Sequence, residues 1–254
     1  MEIIMTTALI TGATSGIGWA CAEMFAEQKI NLILCGRRSE RLEELKSKLA
    51  NKVQVHCLTF DVRNNNEVAK AIASLPENFK NIDILINNAG NAHGLDPFNT
   101  ASIEDMDAMI DINVKGLIYV SRAITPLMVQ NKKGTIINVS SIAGKEVYTN
   151  GNVYCASKHA VDALTRGMRS DLNPHGIKVG SINPGMVETE FSLVRFKGDQ
   201  TKAKTVYQGL EPLHAKDIAD AILYMVTRPS HVVIGDLTIL PLAQASAHVV
   251  KRNT

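Results

Sequence analysis

Long apolar runs are missing from this chain: no stretch of its 254 residues reaches the roughly twenty that a bilayer-spanning helix needs, so no membrane partner is expected. An excess of one charge is missing too. The 27 Lys and Arg and 25 Asp and Glu are interspersed, which leaves no electrostatic footprint for nucleic acid or an anionic surface. Cysteine is scarce and not spaced for pairing. Cys21, Cys35, Cys57 and Cys155 form no Cys-x-x-Cys, so neither a zinc site nor a disulfide framework is indicated, and buried reduced thiols are expected. The 7 histidines include no His-Glu-x-x-His or other zinc spacing, so no metal is expected. The Gly-x-Ser-x-Gly elbow of many serine hydrolases is absent. The opening stretch MEIIMTTALITG has an acid and no basic residue before an apolar run too short for a signal sequence, and a cytoplasmic protein is expected.

What is present is an alternation. Short apolar runs, TALIT near residue 8, NLILC near 33, VQVHCLTF near 56, DILIN near 85, GTIINVS near 137, KVGSIN near 180 and LTIL near 239, are separated by longer amphipathic stretches. The runs are nearly continuous in aliphatic residues, as befits strands covered on both faces. The pattern predicts an α/β fold of Rossmann type: a doubly wound, mainly parallel sheet of seven strands with helices on both faces. A helix is expected over residues 16–28 with Ile17, Ala20, Met24 and Ala26 on its apolar face, and a second after Ser39, its expected N-cap, with Leu42, Leu45 and Leu49 inward. No linker or repeat interrupts the chain, so residues 1–254 are expected to form one domain. The least regular part, residues 186–212, follows the sixth strand, where an open α/β sheet has its ligand crevice, and is expected to be a substrate lid.

The first strand runs into Thr11-Gly12-Ala13-Thr14-Ser15-Gly16-Ile17-Gly18 and then a helix. Glycines there let the backbone turn and approach a pyrophosphate, which the free N–H groups and dipole of the helix attract. The second strand ends in Cys35-Gly36-Arg37-Arg38, where an NAD-binding protein usually places an acid for the ribose 2′-hydroxyl. Two forked, permanently charged donors suit a 2′-phosphate instead, so NADP is the expected cofactor.

With this loop, Asn87-Asn88-Ala89-Gly90 after the fourth strand, Ser141 after the fifth and Tyr154-x-x-x-Lys158, the chain resembles the short-chain dehydrogenase/reductases over about residues 6–241. GRRSERLEELK, LINNAG, GNVYCASK and EFSLVRFKGD are similar to bacterial NADP-dependent 3-hydroxy acid dehydrogenases, a group that includes serine and allo-threonine dehydrogenases. The resemblance implies that Asp61 and Val62 contact the adenine and that Asn88, with Ala89 and Gly90, supports the central strands and the cofactor. It further implies that Pro184, Gly185, Val187 and Thr189 hold the nicotinamide carboxamide, and that Asn113, Ser141, Tyr154 and Lys158 are catalytic. Ser140 stands beside Ser141, and only one of the two hydroxyls can face the site; the family's spacing to the tyrosine selects Ser141.

Four-residue spacing places Tyr154 and Lys158 a turn apart on one helix face. A free phenol, with a pKa of about 10, is a reluctant base at neutral pH, and a nearby ammonium and a positive nicotinamide are expected to lower it. The expected reaction interconverts a small 3-hydroxy acid (L-serine, L-allo-threonine or 3-hydroxypropionate) and its 3-oxo acid. Tyr154 and Ser141 contact the substrate oxygen, and Arg195 or Lys197 receives the carboxylate. A carbonyl or 3-oxoacyl carrier reductase is the alternative enzyme, and a nucleotide sensor without turnover the alternative of another class. After the last strand, Ile239-Leu240-Pro241-Leu242-Ala243-Gln244 replaces the glycine-rich ending usual in the family. So apolar a tail is expected to pack on a neighbouring subunit, and the resemblance implies a homotetramer.

Overall fold

The computed structural model of the protein describes residues 6–253; the segment 1–5, which entered the reading of the amino terminus, lies outside them. Along the chain run β1 (Thr7–Thr11), α1 (Gly16–Glu27), β2 (Asn31–Gly36), α2 (Ser39–Leu49), β3 (Val55–Thr59), α3 (Asn65–Ala73) and β4 (Ile84–Asn87). Then come α4 (Ile103–Ile110), α5 (Gly116–Asn131), β5 (Gly134–Val139), α6 (Asn152–Leu172) and β6 (Ile177–Pro184). The carboxyl-terminal part adds β7 (Val187–Glu188), α7 (Glu190–Arg195), α8 (Gln200–Thr205), β8 (Leu213–His214), α9 (Ala215–Val226) and β9 (Asp236–Ile239).

Seven of these strands form one parallel sheet in the order β3-β2-β1-β4-β5-β6-β9, and β7 and β8 pair separately. The seven expected runs are the seven strands of the sheet. Alternation along each strand sends neighbours to opposite faces. Ala8, Ile10, Leu32, Leu34, Ile84 and Ile86 join a core under α1, α2 and α9, while Leu9, Ile33, Leu85 and Ile136 join a core under α3 and α5. Each fully buried Leu or Ile contributes about 1.5–3 kcal/mol, which is why such continuous runs must lie inside the sheet. The edges differ: β3 is mostly half-buried and β9 alternates exposed with half-buried residues, so the two-sided cover holds only for the central strands.

Two helix expectations need correction. In α1 the fully buried face is Cys21, Ala22, Phe25 and Ala26, with Ile17 and Met24 only partly covered. Ser39 is not a cap. Arg38 holds the N-cap position and Ser39 is the first helical residue, its hydroxyl turned to Glu40 at 3.5 Å. Chain order reverses between β1 and β4, so the crevice beyond their carboxyl ends is open to a ligand.

Candidate active site

A cleft of about 600 Å³ runs along that crevice. At one end the loop after β1 carries Gly12 at φ +66, a backbone conformation that L side chains rarely adopt. Asn88 Nδ2 donates to the carbonyls of Thr11 at 2.9 Å and Gly12 at 3.2 Å, and Thr11 Oγ1 accepts from the N–H groups of Asn88 and Ala89, both at 3.0 Å. The loops after β1 and β4 are thereby locked together. Ser15 is the N-cap of α1 and its side chain makes no capping bond, which leaves the first N–H groups of the helix facing the cleft that Ser15, Gly16 and Ile17 line. Gly18 does not line it; an added Cβ there would run into the Gly12 carbonyl, so its role is close packing behind the loop.

Arg37 and Arg38 both reach the cleft beside Thr14. Arg38 donates through Nε and Nη2 to Thr14 Oγ1 at 3.2 and 2.9 Å and through Nη1 to Glu190 at 3.1 Å. Arg37 is the more exposed, 3.8 Å from Asp61, whose carboxylate is forked by Arg63. The motif reading missed Arg41, which donates to the Thr14 carbonyl at 3.4 Å and lies 5.0 Å over the Trp19 ring. Its only sequence sign is one more arginine, a turn into α2. Asp61, Val62, Ala89 and Gly90 also line this half of the cleft.

The other half is built on β5, the turn after it, and α6. Both serines reach the cleft wall, but they are turned apart: buried Ser140 donates to the Lys158 carbonyl at 3.3 Å, while Ser141 donates to Pro184 at 3.4 Å and faces the Tyr154 phenol. Lys158 is buried, and its Nζ donates to the Val139 carbonyl at 3.0 Å and sits 5.9 Å from the Tyr154 ring centroid. Desolvation pushes its pKa down to about 8. Burial also pushes the Tyr154 phenol up; the charge repulsion of Tyr148 adds to this, while Ser141 and the Arg195 guanidinium work the other way. For the protein alone, desolvation outweighs the charges around the phenol, whereas the expected lowering also counted the positive nicotinamide.

Asn113 lies behind the wall and not in it. It sits in a π-helical turn, Asp111–Lys115, that joins α4 to α5. Its Oδ1 accepts from Asn91 N–H at 2.9 Å, and its Nδ2 donates to the Asn91 carbonyl at 2.8 Å and to Ser157 Oγ at 3.0 Å. A π turn re-aims one side chain in an otherwise regular helix, which periodicity alone does not reveal.

Residues 186–212 roof this end. They are less irregular than expected, holding α7, α8 and β7, with Tyr207 Oη donating to the Val187 carbonyl at 2.8 Å. Pro184 and Gly185, and Val187 and Thr189 at the start of that segment, line the cleft. Arg195 and Lys197 part company. Arg195 Nε donates to the Gly94 carbonyl and Nη2 to Tyr148 Oη, both at 3.0 Å, at the cleft wall. Lys197 turns to Asp105 at 2.9 Å, outside the cleft. Tyr148 and Phe191, whose ring is 5.7 Å from that of Tyr154, belong to the site and were not anticipated; no motif marks Tyr148, while Phe191 lies within EFSLVRFKGD.

The tail, expected to meet a neighbouring subunit, has contacts within the chain as well. It folds back on its own chain: Gln244 Oε1 accepts from Met186 N–H at 2.9 Å, and the Ala247 N–H donates to Glu146 at 2.8 Å. Arg252 donates to the carbonyls of Gln208 at 2.5 Å and Val206 at 3.0 Å. Two apolar side chains of the tail point outward, Leu242, fully exposed, and Val249. Among the described residues no helix is long and apolar enough to cross a membrane.

The short chain dehydrogenase family model matches residues 6–199. The chain is 45% identical over 240 residues, 94% of its length and 96% of the relative's, to the NADP-dependent 3-hydroxy acid dehydrogenase YdfG of Escherichia coli. It is 43% identical over 247 residues, 96% and 98% of the two chains, to sulfoacetaldehyde reductase 2 of Chromohalobacter salexigens. Among solved structures it is similar to the closed form of serine dehydrogenase complexed with NADP+, with a TM-score of 0.92 and 43% identity, covering 98% of this chain and 100% of that one.

Proposed function

The chain belongs to the short-chain dehydrogenase family, and from that premise we propose that it interconverts a small 3-hydroxy acid and its 3-oxo acid with NADP, Tyr154 moving the proton. It is an NADP-dependent dehydrogenase acting on a hydroxyl group. The observation that carries the finer reading is one continuous cleft from the glycine loop, past two arginines, to Ser141, Tyr154 and Lys158.

The residues present fit the dinucleotide. A Cβ at Gly12 would lie 2.9 Å from Asn88 Nδ2 and 3.0 Å from the Ala89 Cα, so a bare backbone is what lets the loop after β1 close on the loop after β4 and keep the turn that would face a pyrophosphate. Gly12 to Ile17 would hold the phosphates, Arg37 and Arg38 the 2′-phosphate, Asp61 and Val62 the adenine, and Pro184 to Thr189 the carboxamide. When bound, the nicotinamide supplies the hydride donor or acceptor. The protein's own part is proton transfer and orientation. Tyr154 Oη gives a proton to the substrate oxygen in reduction and takes it in oxidation, and Ser141 Oγ donates to the same oxygen. Lys158 holds positive charge beside the phenol, and Asn113 fixes the Asn91 backbone next to it. Arg195 has two donors committed and Nη1 without a partner among the described residues, so we assign the substrate carboxylate to it and not to Lys197.

The same reading makes residues 186–212 a lid on a single domain, and the working protein a cytoplasmic homotetramer whose four free thiols stay reduced. A sulfonate aldehyde is the second substrate class, favoured by the similarity to a sulfoacetaldehyde reductase and by a guanidinium suited to either anion. The test is NADPH formation from L-serine, both threonine diastereomers and 3-hydroxypropionate, NADPH consumption with sulfoacetaldehyde, and NAD as the control. We expect NADP to be preferred and Tyr154→Phe to lower kcat/KM by about 10²–10⁴-fold. Turnover at the wild-type rate in Tyr154→Phe would remove the tyrosine from the mechanism.

A further inference from the structure

We propose that Arg195, carried on the lid, acts through Tyr154 as a second cation beside the phenol, so that closing the lid readies the acid/base group. The proposal rests on the reading of Tyr154 as the proton carrier and adds to it a positioning residue carried on α7.

The guanidinium carbon of Arg195 lies 5.5 Å from the Tyr154 ring centroid and 5.7 Å from that of Tyr148, while Lys158 Nζ lies 5.9 Å from the Tyr154 centroid. Two cations thus stand at comparable range from one ring, one on the catalytic helix α6 and one on α7. At that range in a desolvated site a positive charge favours the ionised phenol, whose negative charge it meets, over the neutral one. The two cations are not equivalent. Burial leaves Lys158 with a pKa of about 8, so its charge is lost as the pH rises past neutrality, whereas a guanidinium stays charged throughout.

Arg195 is also held as a positioned group would be. Nε and Nη2 are pinned by the Gly94 carbonyl and Tyr148 Oη, and its own carbonyl accepts from the Gly94 N–H at 2.9 Å. Lys197 and Gly198, with φ of +53 and +92, turn the chain away directly afterwards, and the Lys197–Asp105 pair fixes the exit. These bonds join the lid to the loop after β4 and to the segment before α6, so displacing the lid would carry the guanidinium off the ring. The titratable and charged groups around the phenol are Lys158 and Cys155 from α6, Tyr148 from the preceding turn and Arg195 from α7. Behind the guanidinium, His93, Asp96 and Asp105 line a small pocket, and Asp105 is paired with Lys197.

The experiment is the pH profile of kcat/KM for NADP-linked oxidation of 3-hydroxypropionate and of its uncharged methyl ester, in wild type, Arg195→Ala, Arg195→Lys and Tyr154→Phe. With the ester, Arg195→Ala should be about tenfold slower at pH 7, the deficit narrowing as pH rises, because the ascending limb moves to higher pH when a cation leaves the phenol. Arg195→Lys should keep the limb near its wild-type position even if KM rises. The phenolate absorbance of Tyr154 in the NADP complex, obtained by subtracting the Tyr154→Phe spectrum, should shift the same way and does not depend on turnover. If the limb and the phenolate titration coincide in wild type and Arg195→Ala, and only the KM of the carboxylate substrate changes, Arg195 is an anion ligand and the proposal is wrong. Turnover at the wild-type rate in Tyr154→Phe would instead overturn the reading on which the proposal stands.

Discussion

Burying an ammonium costs stability unless something offsets it, and Lys158 is buried with one carbonyl as its bonded partner. Its pKa falls from 10.5 to about 8 on folding. Below pH 8 the native state holds a desolvated cation; between 8 and 10.5 it releases the proton while the unfolded chain keeps it. Stability from this group therefore rises with pH through that window and is lost as pH falls through 8. Lys158→Met should abolish turnover yet be more stable at pH 7, by about 1–3 kcal/mol, and should lack the rise between pH 8 and 10. Urea denaturation across that range reads both effects, and a variant less stable than wild type at pH 7 would contradict the account. At this scale the sequence was most legible where chemistry needs a particular residue type. The arginines after β2 and the Tyr154 and Lys158 pair lie along one cleft. What it concealed was the sign of the phenol's shift, which depends on how deeply α6 is covered.

At the scale of elements, legibility follows length and cover. The central strands showed because both faces are buried, forcing uninterrupted aliphatic runs. The lid's helices did not show, because α7 and α8 have six residues each, too few for a 3.6-residue period to repeat. The tail's fold-back was hidden for another reason: the side chains of Arg252, Gln244 and Glu146 that hold it each pair with a backbone group, which leaves no partner residue to recognise in the sequence. Those bonds tie residues 244–253 to the lid at Val206, Gln208 and Gly209, the last accepting from the Asn253 N–H at 2.7 Å. A chain ending at Gln244 should therefore keep its NADP affinity within about twofold while the KM of its substrate rises about tenfold, since local order in the lid is lost and the core is untouched. Cofactor titration beside steady-state kinetics separates the two, and a parallel loss of both would mean that the tail supports the whole cleft.

At the scale of the molecule, an open sheet has two edges, and they are β3 and β9. An unprotected edge invites pairing with another chain, and apolar side chains beside it strengthen the invitation. Val233, just before β9, is 44% exposed, Leu242, just after it, is 106% exposed, and Val249 further along the tail is 60% exposed. Apolar side chains left so open beside a sheet edge fit a contact with a second copy, as the proposed tetramer requires. Symmetry magnifies any change there: about a two-fold axis each substitution enters the same interface twice, so Leu242→Asp buries two carboxylates, each without a partner. Light scattering on the eluted protein should show wild type as a tetramer and Leu242→Asp as a smaller species. Each separated chain should still bind NADP, because one chain supplies the glycine loop, both arginines and the Tyr154 and Lys158 pair. An unchanged mass for Leu242→Asp would place the subunit contact elsewhere on the surface.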